Sequence, residues 1–205
     1  MMKLYYLPGA CSMASHITLN ELNMDFSIEK VIRGTGTTEN GEDYSKINPL
    51  GYVPALKLND GTSILENTAI LTFIADLKPE SGLAPKDSTV ARAKFNETLG
   101  YLSSELHKAY SPIFAEDNMT DERKETVIKK LNSRLDYLED KLNDGRSYLF
   151  GDNFTAADAY AFVIMNWSNF IDHSLEAWPN IKAFLARTRE RPSVQRALKA
   201  EGLLS

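Results

Sequence analysis

Residues 47–70, INPLGYVPALKLNDGTSILENTAI, decide how the first half of the chain folds. Two short apolar runs, ALKL and TSIL, flank Asn59, Asp60 and Gly61. This pattern predicts a β-hairpin, because glycine accepts the positive φ that such turns need. The apolar residues that follow recur at helical spacing and predict a helix over 66–77. The stretch therefore predicts a β-β-α unit.

The residues before this stretch predict a β-α-β unit. A compact β-type run occupies residues 3–7, and Ser12 is placed to cap an amphipathic helix that follows it. In the segment MDFSIEKVI, Phe26 and Ile28 alternate with polar neighbours, which is the period-2 pattern of a strand. The first part of the chain is therefore expected to be mixed α/β.

The second half of the chain predicts helices, because strand signals nearly vanish after the Pro-, Gly- and charge-rich segment 78–87. A long helix should follow and break near Pro112, since proline removes a backbone donor and clashes with the preceding turn. Apolar residues spaced by three and four predict an amphipathic helix over 121–143. Thr155 and Asp158 form the pattern of a capping box before an apolar helix. Two shorter helices close the chain.

We therefore predict two domains, a mixed α/β domain over 1–80 and an all-α domain over 87–205. Their boundary falls in the proline-rich segment, where few contacts are expected to cross. A chain of 205 residues and 23.0 kDa is long enough for two small domains with a substantial buried core.

The bulk composition argues against several classes of function. A net charge of −5 disfavours binding to a nucleic-acid backbone, which attracts basic proteins. The single cysteine cannot form an internal disulfide, and His16, His107 and His173 lack metal-ligand spacing. The sequence has no run of about 18 apolar residues and no signal-peptide core. We therefore expect no metal, no membrane span and a cytoplasmic location.

Cys11 falls at the predicted first turn of a helix, where exposed N–H groups and the helix dipole favour an anion. A thiolate there would have a lowered pKa and would react more readily at neutral pH. A lone cysteine also packs well as a small hydrophobic residue, so its position alone leaves both interpretations open. Ala14 stands where a thioredoxin-type centre has its second thiol. Redox chemistry would therefore need an external thiol such as glutathione.

Five segments, in order along the chain, carry a resemblance to a known family: KLYYLPGACSMASHITLNEL, INPLGYVPAL, ILENTAI, SELHKAYSP and NFTAADAY. With them the chain resembles the bacterial beta-class glutathione transferases over essentially its whole length. The resemblance implies a thioredoxin-like α/β domain followed by an all-α helical domain. It also implies a homodimer with its active site in the cleft between domains, glutathione as co-substrate and no metal.

The resemblance implies that the first domain binds glutathione. A cis Val53–Pro54 bond would turn the Val53 main chain outward to pair with the cysteinyl segment, and Tyr52 would join this contact. Without the resemblance, a trans edge residue would be the default for this dipeptide. Free N–H groups at Glu66 and Asn67 would hold the γ-glutamyl carboxylate, with Glu66 facing the amine. Plain helix capping is the alternative. Relatives most often have serine or glycine at position 67, whereas the asparagine amide could donate.

In the second half, Ser104, His107 and Lys108 share one face of the predicted long helix, at spacings of three and four. In similar transferases this face meets the sulfur and peptide region of glutathione. His107 is therefore the candidate to hydrogen-bond near Cys11, and these two are the predicted catalytic residues. Ser104 and Lys108 are predicted to bind glutathione. A solvated helix face is the alternative.

The second substrate would be a small hydrophobic electrophile, and apolar and aromatic residues should line its pocket. Tyr110, Phe114 and Trp167 are the candidates. Aromatic residues at helical spacing are more often part of a core, so this interpretation stays open beside the first.

These residues lead to three hypotheses, of which two are enzymatic and one is non-catalytic. The chain would conjugate glutathione to electrophiles, and Cys11 could add thiol transferase or peroxidase activity through a mixed disulfide. Alternatively, it would be a non-catalytic binding protein with the same fold. Gly36 and Gly100 favour that alternative, because relatives often carry a lysine and an asparagine there. The presence of Glu66 and His107 argues against it, since a scaffold has no physical need for them.

Overall fold

The computed structural model describes residues 1–204, which form two compact units. The first unit is Met1–Ala84 together with the segment that starts at Arg189, and the second is Pro85–Thr188. Among the described residues, none of the helices is both long and apolar enough to cross a membrane.

The first unit is built on a five-stranded sheet with the order β3-β2-β1-β4-β5. Strand β1 pairs in parallel with β2 and antiparallel with β4, while β2–β3 and β4–β5 are antiparallel pairs. The strands are β1 Met2–Tyr6, β2 Phe26–Ile32, β3 Thr37–Thr38, β4 Ala55–Lys57 and β5 Ser63–Leu65. Helix α1 (Ser12–Glu21) joins β1 to β2, and helix α2 (Asn67–Asp76) follows β5. The predicted hairpin and the predicted β-α-β and β-β-α order are confirmed.

The alternation of Phe26 and Ile28 does not mark the buried face of β2. The most buried residues of the strand are Glu29 and Val31, whereas Phe26 and Ile28 are only partly buried. Burial of the Glu29 carboxylate is compensated, because Asn40 Nδ2 donates to both of its oxygens at 2.7 and 2.6 Å. Strand β2 lies between two others, so a period of two cannot by itself tell which face is more buried.

The second unit consists of helices. They are α3 Val90–Tyr101, α4 His107–Ala115, α5 Asp121–Leu142, α6 Ala156–Asn166 and α7 Pro179–Arg189. A final helix, α8 (Pro192–Ala200), belongs to the first unit. The predicted succession of an α/β half and a helical half is confirmed.

The predicted break near Pro112 is wrong. Helix α3 passes through one wider, π-helical turn at Leu102–Leu106 into α4, which continues past Pro112 to Ala115. Proline removes one N–H donor from the helix. The helix tolerates this loss close to its end, since only three residues of α4 follow Pro112. The irregular turn instead lies ten to six residues before Pro112, and π turns of this kind occur often at functional sites.

Helix α6 is the centre of the second unit, since ten of its eleven residues are buried. The predicted capping box forms at its start: the Thr155 N–H donates to Asp158 Oδ2 at 2.8 Å, and both reciprocal bonds are present. Asp158 also accepts from the Leu149 N–H at 2.7 Å. Helix α5 packs with the predicted apolar stripe inward: Val127, Leu131, Leu135, Leu138 and Leu142.

Helix α8 and the residue that follows it are hydrogen-bonded to α1 and to the loop before α1. Glu201, directly after α8, accepts from the Gly9 N–H at 3.0 Å and pairs with His16 Nδ1 at 2.9 Å. Asn20 of α1 donates to the Ser193 carbonyl of α8 at 3.2 Å. These contacts explain why α8 packs with the first unit, although the sequence assigned it to the helical domain over 87–205. The division into domains over 1–80 and 87–205 stays a prediction.

Replacing the buried carboxylate of Glu201 should destabilise the protein. We expect Glu201→Ala to lower the free energy of unfolding by about 3 kcal/mol, because it removes the buried carboxylate that bonds to His16 and to the Gly9 N–H. Glu201→Gln keeps the shape and one acceptor, so it should lose less, about 1 kcal/mol. Urea unfolding followed by circular dichroism measures both.

The matched control is Glu176→Gln, which removes one side of the exposed Glu176–Lys182 pair. Exposed pairs contribute little, so its unfolding free energy should equal that of the wild type. An equal loss in Glu201→Ala and Glu176→Gln would contradict the structural role of Glu201.

Candidate functional site

Cys11 lies directly before α1 and takes the place of its N-cap residue. Its side chain is buried, with 8% exposed, and Sγ donates to the Val53 carbonyl at 3.4 Å. Ser12 was expected to cap the helix, and this is wrong. Its hydroxyl donates to the Leu7 carbonyl and accepts from the Leu7 N–H, each at 3.3 Å. The serine therefore stabilises the turn that presents Cys11.

The Val53–Pro54 bond is cis, as predicted. Strand β4 begins at the next residue, since Pro54 has no N–H to give to the sheet. The tyrosine before this pair, Tyr52, has a side chain that is 70% exposed. Its carbonyl accepts from Tyr44 Oη and Asn48 Nδ2, both at 2.7 Å. These bonds fix the loop and leave the Tyr52 side chain at the surface.

Glu66 and Asn67 form the start of α2. Glu66 has φ 67° and ψ 118°, an uncommon backbone conformation for a side chain of this size, and it is exposed. Neither residue caps the helix with its side chain in the way that the alternative interpretation expected. The Asn67 amide donates to the Cys11 carbonyl at 3.1 Å. One hydrogen of this amide thus has a partner within the first unit, and the role of Asn67 toward glutathione stays a prediction.

The two departures from the family pattern have different structural settings. Gly36 takes φ +70° in the loop before β3, a conformation that favours glycine, and its carbonyl accepts from the Tyr44 N–H at 2.9 Å. A lysine there would strain this turn. Gly100 lies in α3, and a Cβ added to it would meet no atom within 4 Å. The turn explains Gly36, whereas nothing in the packing requires a glycine at position 100.

In the second unit, Ser104 lies within the π-helical turn, and His107 and Lys108 are the first two residues of α4. Ser104 is exposed, and its hydroxyl donates to the Gly100 carbonyl at 2.9 Å. Lys108 is exposed as well. His107 is half-buried, with Nδ1 at 3.1 Å from Tyr160 Oη. Ser104 and Lys108 thus fit the solvated face that the alternative interpretation expected, while His107 does not.

Burial lowers the pKa of His107 from 6.5 to about 4, and the nearby Lys108 charge acts in the same direction. The edge of the imidazole meets Trp167, with the ring centres 4.8 Å apart. The imidazole is therefore neutral at physiological pH. It can donate or accept one hydrogen bond with its second nitrogen, but it brings no positive charge.

The three candidate pocket aromatics touch one another within the second unit. The Tyr110 hydroxyl is hydrogen-bonded to Ser168 Oγ at 2.7 Å, and both Tyr110 and Trp167 are buried. Phe114 is 44% exposed and meets Trp167 edge-on at 5.5 Å. Tyr110 is therefore a core residue with a satisfied hydroxyl. Phe114 is the member of the set that faces solvent.

Sequence reasoning missed three residues that hold the candidates in place: Ser15, Tyr160 and Ser168. Each is a buried polar side chain: Ser15 lies on α1, Tyr160 on α6 and Ser168 in a short 3-10 turn after α6. Only the apolar character of the helix around Tyr160 indicated that this helix is central. Among residues 1–204, no group of three or more His, Cys, Asp or Glu side chains is arranged to hold a metal ion.

The lowered pKa of His107 predicts a pH dependence of stability. Below pH 6.5 the unfolded chain takes up a proton at this residue, while the folded chain does not until about pH 4. The contribution of the neutral imidazole is thus present above pH 6.5 and lost as the pH falls. Between pH 6.5 and about 4.5, the wild type should lose about 2 kcal/mol more unfolding free energy than His107→Gln.

Urea unfolding of both proteins at these two pH values measures the difference. Carboxylates titrate in the same range in both proteins, so their contribution cancels in the comparison. An equal loss in the two proteins would show that His107 titrates in the folded chain as it does when unfolded.

Comparison with known proteins places this arrangement in a family. A model of the glutathione S-transferase N-terminal domain matches residues 9–77, and one of the C-terminal domain matches residues 101–192. Over 202 residues the chain is 44% identical to glutathione S-transferase GstA of Escherichia coli O157:H7, covering 98% of this chain and 100% of that protein.

Two solved structures resemble this one closely. A bacterial beta-class glutathione S-transferase of Sphingomonas chungbukensis superposes with a TM-score of 0.93 at 42% identity, covering 98% of this chain and all of the other. A sphingomonad glutathione S-transferase in complex with glutathione gives a TM-score of 0.92 at 41% identity, with the same coverage. The resemblance seen in the sequence is confirmed: the chain belongs to the glutathione S-transferase family and is similar to its bacterial beta-class members.

Proposed function

We propose that this protein binds reduced glutathione and conjugates its sulfur to small hydrophobic electrophiles. The observation that carries the proposal is the cis Val53–Pro54 pair, with the Val53 carbonyl in contact with the Cys11 thiol. The resemblance implies a Val53 main chain that can pair in strand fashion with a peptide, and glutathione is a peptide with a thiol. Membership of the family and the glutathione complex of the sphingomonad relative support the same ligand.

In the proposed reaction the glutathione thiol gives up its proton to solvent and attacks as the thiolate. A carbon–sulfur bond forms, and the leaving group departs with the electron pair of the bond that breaks. Hydrogen-bond donors around the sulfur would lower its pKa and so raise the thiolate fraction. Cys11 and the neutral His107 are the proposed sources of such hydrogen bonds.

The remaining residues would position the tripeptide. The Val53 main chain would hold the cysteinyl segment, and the first N–H groups of α2 would hold the γ-glutamyl carboxylate. The exposed Glu66 carboxylate is suited to its amine. Tyr52, Ser104 and Lys108 are proposed to add contacts through exposed side chains, and Phe114 is proposed to contact the electrophile.

A titration calorimetry experiment tests the proposal. Reduced protein should bind glutathione at one site per chain, and Glu66→Gln should weaken that binding about tenfold, because one charge-assisted hydrogen bond to the amine is lost. Asp76→Asn, a charge change at the other end of α2, is the matched control and should bind like the wild type. Wild-type protein that shows no heat up to millimolar glutathione would favour a non-catalytic role for the fold.

A second activity is proposed from the single thiol, since Cys11 is the only cysteine and Ala14 replaces a resolving thiol. The Cys11 thiolate would attack a disulfide that glutathione forms with another thiol, form a mixed disulfide with the glutathione part and release the other thiolate. A second glutathione thiolate would attack that mixed disulfide, release the first as glutathione disulfide and restore Cys11. The peroxidase variant would instead oxidise Cys11 with a hydroperoxide, which leaves as an alcohol, before two glutathione thiols reduce it.

Cys11→Ala separates the two activities. Thiol transfer should disappear in this variant, while conjugation should remain within about tenfold of the wild type, because the Val53 main chain is unchanged. Intact-protein mass spectrometry after incubation with glutathione disulfide should show one added glutathione in the wild type. An unmodified Cys11 would exclude the thiol-transfer activity and leave the conjugation proposal standing.

Assembly into a homodimer is also proposed, following the resemblance to beta-class transferases. Sedimentation equilibrium would then give the mass of two 23.0 kDa chains. A single-chain mass at micromolar concentration would contradict it. The cytoplasmic location expected from the lone cysteine stays a prediction.

A further inference from the structure

Asn67 is the first residue of α2, and its side chain is buried against the start of α1. Its side chain is 7% exposed, and its Nδ2 donates to the Cys11 carbonyl at 3.1 Å. The hydroxyl of Ser15, a fully buried residue, donates to Asn67 Oδ1 at 2.7 Å. A carbonyl can only accept, so the amide must present its NH₂ group to Cys11 and its oxygen to Ser15. The side chain therefore spans one turn of α1.

The contact with Asn67 constrains Cys11 from a second direction. The Cys11 carbonyl also accepts from the Ala14 N–H at 3.1 Å, which ties it to the first turn of α1. On its other side, the Cys11 thiol reaches Val53. Both the main chain and the sulfur of Cys11 are thus held by segments far away in the sequence. A movement of its main chain would shift the thiol away from the Val53 carbonyl.

We propose that Asn67 is a positioning residue that fixes Cys11 against the first turn of α2 and so sets the place of the Cys11 thiol beside Val53. Serine, alanine or glycine at this position is too short to reach the Cys11 carbonyl and the Ser15 hydroxyl together. Aspartate has the right length, but one of its carboxylate oxygens would face the Cys11 carbonyl, and both of these groups are acceptors. Asparagine supplies one donor and one acceptor in the order that α1 requires.

The consequence for glutathione rests on the proposed function. Asn67 begins the turn whose N–H groups would receive the γ-glutamyl carboxylate, and Cys11 would lie near the sulfur. The amide would therefore set the spacing between the two ends of the bound peptide. The consequence for Cys11 itself does not depend on any ligand.

The reactivity of the Cys11 thiol tests the proposal directly, because the chain has no other cysteine. The probe is 4,4′-dithiodipyridine, a neutral disulfide whose thiol product is followed by absorbance. We expect Asn67→Ser to raise the labelling rate about threefold to tenfold, which is the factor that corresponds to the loss of one hydrogen bond. Thr72→Ala is the matched control, since it removes a hydroxyl that bonds to the Thr68 carbonyl of its own helix. Its labelling rate should match that of the wild type.

Two further measurements decide the outcome. Ser15→Ala should accelerate labelling less than Asn67→Ser does, and the double variant should not exceed Asn67→Ser, because both act through one amide. Ser15→Ala also serves as the test if Asn67→Ser fails to fold. Labelling of Asn67→Ser at the wild-type rate would overturn the proposal. So would an acceleration that merely matches its loss of unfolding free energy, since labelling would then report global unfolding.

Glutathione binding distinguishes this proposal from the proposed function. If the wild type binds glutathione, Asn67→Ser should raise the dissociation constant about threefold to tenfold, and Thr72→Ala should not. If the wild type does not bind glutathione, the proposed function is wrong, and the labelling rates still decide the role of Asn67. Unchanged binding in Asn67→Ser would overturn the part that concerns peptide spacing.

Discussion

The start of helix α1 is held in place by partners that are distant in the sequence, and the first unit depends on this constraint. The Cys11 thiol meets a residue 42 positions away, and its carbonyl meets one 56 positions away. Further along the same helix, His16 pairs with Glu201, 185 positions away. Helix starts leave N–H and side-chain positions open to outside partners. Here those partners come from the loop before β4, from α2 and from the end of the chain, so the candidate site and the fold share the same contacts.

Local rules were sufficient to predict several elements correctly. The hairpin around Gly61 follows from turn chemistry alone, and the capping box of Thr155 and Asp158 follows from two residues three positions apart. The apolar stripe of α5 needs only its own periodicity. In each case the physical cause lies within a few residues, which a sequence displays directly. The cis Val53–Pro54 bond needed the family resemblance, because the dipeptide alone favours trans.

Elements whose environment depends on distant partners were not predictable in this way. Glu29 is buried because an amide eleven positions further on satisfies its carboxylate. Helix α4 tolerates Pro112, and the irregular turn occurs earlier, where no proline or glycine marks it. The Asn67 amide donates to the Cys11 carbonyl 56 positions away, a contact that no local pattern indicated. The candidate residues could thus be named from the sequence, but their hydrogen-bond partners could not.

The bond between the Gly9 N–H and Glu201 has a consequence for the way the protein is made. The two residues are 192 positions apart. At about 5 to 20 residues per second, a ribosome needs about 10 to 40 s to produce the chain between them. During that time the turn that carries Cys11 has emerged without the carboxylate that completes it. The loop before α1 therefore reaches its final hydrogen bonding only after Glu201 has been added, long after the loop itself has emerged.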